Sequence, residues 1–175
     1  GDVGCGKTVV AAMALLAAVG AGHQGAFMAP TEVLATQHHR VLTDLLSQMR
    51  DPPKVALLTG STKTAERAQI LEDLNDGKIG IIVGTHALIH EKVVFSSLGI
   101  AVVDEQHRFG VEQRAGLLAK GKLPPHMLTM SATPIPRTLA MTKFGEMALS
   151  VIDEKPAGRL PIITTVCGVD EHSQA

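Results

Sequence analysis

The first eight residues, Gly1-Asp2-Val3-Gly4-Cys5-Gly6-Lys7-Thr8, satisfy the pattern G-x-x-x-x-G-K-[ST] at every specified position, which demands a strand, a phosphate-cradling loop and a helix in that order. Glycines let the backbone curl until successive N–H groups point inward at phosphate oxygens. The helix that starts near Lys7 adds the positive end of its dipole. Gly1, Asp2, Val3, Gly4, Cys5 and Gly6 are expected to wrap a nucleoside triphosphate. Lys7 reaches its β- and γ-phosphates, and the Thr8 hydroxyl takes one position on Mg²⁺, an ion that prefers oxygen ligands and keeps much of its water. The helix follows as required: Val9 to Val19 is an alanine-rich apolar run closed by Gly20 and Gly22. The strand is missing because the chain starts at Gly1, which reads as a piece of a longer protein.

A second anchor lies about a hundred residues on. Gly99 to Val103 is a continuous apolar run of the buried-strand kind, and it delivers Asp104-Glu105-Gln106-His107 at its end. In open α/β sheets ligands bind beyond the carboxyl ends of the strands. Beside a P-loop, Asp104 is expected to hold Mg²⁺, directly or through water, and Glu105 to orient and deprotonate an attacking water. Alone, the acidic pair would read as a solvated turn.

Between and after these anchors, strands alternate with helices. Strands are expected at residues 25–29, 54–58, 79–83, 99–103 and 127–130. Helices are expected from Thr31 to about Met49 with Leu34, Val41, Leu42, Leu45 and Leu46 inward, at 64–75 with Ile70, Leu71 and Leu74 inward, at 111–120, and at 135–143. Ser131-Ala132-Thr133 after the last of these strands either carries a hydrogen-bonded signal or caps the following helix. The pattern predicts an α/β fold: a predominantly parallel, doubly wound sheet with helices on both faces. Residues 1–150 form this domain and 151–175, punctuated by Pro156, Gly158 and Pro161, a linker.

The 175 residues suffice for one such domain. Net charge is -1, with four Phe and neither Trp nor Tyr, so there is no broad basic surface for nucleic acid, recognition by a row of stacking rings is disfavoured, and any DNA contact must be local. Two cysteines exclude a disulfide framework. The apolar run at 9–19 is too short to cross a bilayer. His86 and His90, four apart with Glu91 nearby, would suit a metal only if that stretch were helical, and it reads as a strand exit without HExxH order; adjacent His38 and His39 diverge on their helix and cannot chelate one metal together. Glu66, Arg67, Glu72, Asp73 and Lys78 are expected on a solvated helix face.

Four blocks now stand in order: 1–8, Ala29-Pro30-Thr31-Glu32, Asp104-Glu105-Gln106-His107 and Ser131-Ala132-Thr133. Their series resembles the first RecA-like motor domain of superfamily 2 helicases. The stretches Gly84 to Ile89, Asp104 to Arg114 and Thr133 to Leu139 are similar to the bacterial RecG family of branch-migration helicases over essentially the whole chain. Transcription-repair coupling translocases are the nearest alternative, and they usually carry Glu where this chain has Gln106. A P-loop small-molecule kinase or nucleotide switch is the alternative outside the motors.

The resemblance implies ATP and Mg²⁺ as cofactors, with Gln106 and His107 facing the γ-phosphate and the interdomain cleft. It implies that Ser131, Ala132 and Thr133 couple nucleotide state to domain motion, and that Pro30, Thr31, Glu32, Gly84 and Thr85 touch the DNA backbone. It further implies a monomeric enzyme of the bacterial cytoplasm that remodels forked and Holliday-type junctions in DNA repair and recombination. The linker at 151–175 then leads toward a second motor domain, which supplies an arginine finger.

Overall fold

A short apolar run followed by an amphipathic helix can bury both its faces only by stacking in parallel with other such units, because each helix must return the chain to the starting edge. The computed structural model describes residues 4–105, 109–132 and 148–153 and shows this arrangement. Helix α1 (Lys7–Gly20) leads into strand β1 (Gln24–Met28), and α2 (Glu32–Leu46) into β2 (Val55–Leu58). They are followed by α3 (Thr64–Asn75), β3 (Ile81–Gly84), a 3₁₀ turn (His86–Ile89), β4 (Leu98–Asp104), α4 (Val111–Leu118) and β5 (His126–Met130). The five strands pair in the order β2-β3-β1-β4-β5, all parallel. The expected helix at 135–143 and the linker from 154 lie outside the described residues.

Alternation along the strands divides the core in two. On one face Phe27, Ile81, Val83, Ile100 and Val102 pack with Ala11, Ala12 and Leu15 of α1 and with Ala35, Leu42 and Leu46 of α2. On the other face Ala26, Met28, Ile82, Ala101 and Val103 pack with Leu74 of α3, Leu88 of the 3₁₀ turn and Leu117 of α4. Helices therefore cover both faces.

Three expectations about inward faces are corrected. Along α2 the buried positions are Ala35, Leu42 and Leu46, while Val41 and Leu45 are exposed. Ala35, Leu42 and Leu46 fall on one stripe, seven and four residues apart, and that stripe is the one packed on the sheet. Asp73, expected in solvent, is buried, and its carboxylate accepts a bond from Lys54 Nζ at 2.6 Å and another from Gln69 Nε2 at 3.0 Å. Arg67 likewise turns back and donates to the Thr59 carbonyl. The buried Gln24 donates from Nε2 to the carbonyls of Leu74 and Ile79, 2.8 Å each, and accepts from Ser97 N at 3.1 Å. It ties the entry of the central strand to the loops on both sides.

Candidate active site

Lys7 opens α1 and Asp104 ends β4, and the fold brings these two ends to the same edge of the sheet. Helix α1 packs against β1 and β4. It feeds β1 through a turn at Ala21–His23, and so it runs antiparallel to the strands, with its first residue at their carboxyl edge. Fourteen helical residues rise about 20 Å, and the seven of β4 cover about the same height. Asp104 has the alternation of Ile100 and Val102, which face α1, and not that of Ala101 and Val103. Lys7, Thr8 and Asp104 thus lie on one face of the sheet at one edge.

The loop ahead of α1 is built for a tight curl. Gly4 and Gly6 have φ of 80° and 96°, in the region that glycine adopts without a Cβ clash, and Gly6 caps the helix. Val9 N and Val10 N both bond the Gly6 carbonyl. Lys7 Nζ lies 4.0 Å from Cys5 Sγ. Gly1, Asp2 and Val3 lie outside the described residues.

Asp104 is buried, with 7% of its surface exposed. Its Oδ1 accepts from Glu105 N at 3.0 Å and its Oδ2 is 2.8 Å from His38 Nε2. A carboxylate offers about four lone-pair sites, so two remain for a cation or its water. With the Thr8 hydroxyl on the same edge, the donor set is all oxygen, as Mg²⁺ prefers, and it leaves the remaining positions to phosphate and water.

Glu105 is the one non-glycine residue at positive φ among those described, at 47°. Such a backbone costs about 1–3 kcal/mol and persists where the surroundings hold it. Here its carboxylate accepts from Ala132 N at 3.1 Å and from Ser131 Oγ at 3.4 Å. Strand pairing makes this contact possible, because Asp104 stands opposite Met130 in the β4–β5 register. The turns after both strands therefore leave the sheet side by side. Gln106, His107 and Thr133 lie outside the described residues.

The residues expected at a DNA backbone divide. Thr31 is exposed and caps α2, its Oγ1 accepting from Leu34 N at 3.3 Å. Glu32 is exposed, yet its carboxylate is engaged by Ser61 N at 3.1 Å and Ser61 Oγ at 2.7 Å. The Ser61 hydroxyl is the main reason its pKa falls below the ordinary carboxylate value. Glu32 is thereby fitted to hold the Gly60-Ser61 loop in place. Gly84 and Thr85 are buried. The Thr85 hydroxyl accepts from Ala87 N at 3.5 Å, and a Cβ on Gly84 would stand 2.2 Å from the Leu58 carbonyl oxygen. What these two residues do here is let the β2 and β3 ends approach and start the 3₁₀ turn.

Sequence reasoning missed His38. It lies on the sheet-facing stripe of α2 between Ala35 and Leu42, three residues after one and four before the other, and its ring centroid is 4.5 Å from that of Phe27. Spacing against Ala35, and not against the larger leucines, was the signal that would have found it.

The model of the DEAD/DEAH box helicase family matches residues 1–142. The chain is 57% identical over 174 residues to an ATP-dependent DNA helicase RecG of Synechocystis, covering 99% of this chain and 21% of that protein. The RecG of Bacillus subtilis is 57% identical over 164 residues, covering 94% of this chain and 24% of the relative. A solved structure of RecG bound to a three-way DNA junction superposes with a TM-score of 0.77 at 46% identity, over 92% of this chain and 21% of that one. The chain thus spans about a fifth to a quarter of the length of the relatives it matches. It belongs to the DEAD/DEAH box helicase family.

Proposed function

We propose that the chain is the nucleotide-binding motor domain of an ATP-dependent DNA translocase of the RecG type, which remodels forked and Holliday-type junctions in DNA repair and recombination. The observation that carries this reading is that α1 begins with Lys7 and Thr8 at the sheet edge where β4 ends in Asp104, with the carboxylate of the next residue, Glu105, accepting from Ser131 Oγ and Ala132 N. The protein in the matched structure is bound to a three-way DNA junction, which supports branched DNA as the partner. The whole enzyme is read as a monomer of the bacterial cytoplasm. Among the described residues no helix is long and apolar enough to cross a membrane.

In this mechanism the amides of residues 1–8 and Lys7 bind the triphosphate, and Thr8 and Asp104 hold Mg²⁺. When bound, the ion neutralises charge on the phosphates. Glu105 orients a water molecule. As the water oxygen attacks the γ-phosphorus, the bond to ADP breaks and the water's proton passes to the Glu105 carboxylate. Ser131 and Ala132 hold that carboxylate, so loss of the γ-phosphate is felt at the end of β5; Thr133 is assigned to the same coupling, and Gln106 and His107 to the γ-phosphate. Pro30 and Thr31 meet the DNA backbone, with Glu32 holding the Gly60-Ser61 loop beside them and Gly84 and Thr85 shaping the edge beneath.

Replacing the general base separates binding from chemistry. In the full-length protein, Glu105→Gln is expected to lower DNA-stimulated ATP hydrolysis by about 10²–10⁴-fold while Mg-ATP affinity by calorimetry stays close to wild type. Hydrolysis at the wild-type rate would remove Glu105 from the reaction.

A further inference from the structure

We propose that His38 is a positioning residue for Asp104, fixing the carboxylate that holds the metal and tying it to the helix whose start is assigned to DNA. This rests on the ATP-hydrolysing reading above and assigns a role to a side chain that reading leaves unused.

The geometry is specific. His38 Nε2 lies 2.8 Å from Asp104 Oδ2, across 66 residues of sequence, and the two side chains are only 12% and 11% exposed. A carboxylate only accepts, so the hydrogen of this bond sits on Nε2. The ring cannot easily swing away, because it packs against Phe27, which is wholly buried on the central strand. The other oxygen, Oδ1, is held by the backbone N–H of Glu105. Both oxygens of Asp104 are therefore aimed before any cation arrives, one by its own turn and one by α2.

Hydrogen bonds to a ligating carboxylate set its orientation, and losing such a partner typically costs 10–100-fold in metal affinity or activity. The connection to α2 adds a second consequence. His38 is seven residues beyond the Thr31 cap, about 10 Å along one continuous helix. A shift of α2 when its N-terminus meets a phosphate backbone moves the donor that fixes Oδ2. Among the described residues, this bond is a direct side-chain link between the helix assigned to DNA and the carboxylate assigned to the metal.

The test uses the full-length protein carrying His38→Leu or His38→Gln. Leucine fills the space against Phe27 without a donor, and the glutamine amide reaches about where Nε2 stands. Steady-state hydrolysis is measured with and without forked DNA, across Mg²⁺ concentration, together with KM for ATP and the thermal midpoint.

His38→Leu is expected to lower kcat by about 10–100-fold and to raise the Mg²⁺ concentration at half-maximal rate, with KM for ATP and the midpoint little changed. His38→Gln is expected to recover most of the rate and the Mg²⁺ requirement. Wild-type kcat and Mg²⁺ dependence in His38→Leu would overturn the proposal. So would equal losses in both variants accompanied by a lowered midpoint, which would make His38 a packing residue. Lys7→Ala, run in parallel, separates the two claims: its retaining hydrolysis would remove the ATP reading itself, whereas its losing hydrolysis while His38→Leu keeps it removes only the role of His38.

Discussion

Glu105 bears the backbone strain of the site and Gly84 bears its tightest contact, and neither role follows from chemistry alone. A methyl group on Gly84 would meet the Leu58 carbonyl oxygen at 2.2 Å and Leu88 Cγ at 2.9 Å. The first of these is backbone in a paired strand and cannot rotate away. Gly84→Ala is therefore expected to destabilise the protein by about 1–3 kcal/mol, the usual cost of overpacking, read as a lowered denaturant midpoint. An unchanged midpoint would mean that the β2 and β3 ends part easily. The loop at 1–8 and the acidic pair stand out in the sequence because their proposed chemistry fixes both residue type and spacing. His38 and Asp73 do not, since a polar residue on a buried stripe looks like any surface residue until its partner, 66 residues away for His38 and 19 for Asp73, is placed beside it.

Helix α3 shows how such a pairing becomes a pH response. The Asp73 carboxyl is held below its ordinary pKa first by the hydrogen bond from Lys54, then by that from Gln69, with the charges of Lys54 and Lys78 adding to these and burial opposing them. A lowered folded-state pKa means that the unfolded chain binds more protons in acid. The stabilisation is present above the unfolded value near 3.8 and is lost as pH falls through the lower, folded one. Asp73→Asn should be less stable at neutral pH and should lose part of the acid limb of the stability profile, measured as denaturant midpoint against pH. A parallel displacement of the whole profile would contradict this. Element types were legible from period and punctuation, and α3 falls at the expected 64–75. The short 3₁₀ turn at 86–89 was not legible. His86-Ala87-Leu88-Ile89 is too short for a period, and its start depends on Thr85 accepting from Ala87 N.

The parallel order β2-β3-β1-β4-β5 gathers every proposed functional turn at one edge, so the sheet decides which distant residues can act together. Catalysis is nonetheless expected to need more than this edge, because the chain spans only about a fifth to a quarter of the length of the relatives it matches. The isolated 175 residues are accordingly expected to hydrolyse ATP barely or not at all, with or without DNA, in a phosphate-release assay. DNA-stimulated turnover by the isolated chain would show that this domain is catalytically complete.

Whether Lys7, Thr8 and Asp104 share one magnesium-bound triphosphate is read directly by calorimetry of ATP binding to the full-length Asp104→Asn protein, with and without Mg²⁺. The expected result is that the gain in affinity conferred by Mg²⁺ on the wild type is lost in Asp104→Asn, while metal-free ATP binds both proteins equally. An undiminished Mg²⁺ effect in Asp104→Asn would place the ion elsewhere and contradict a shared site.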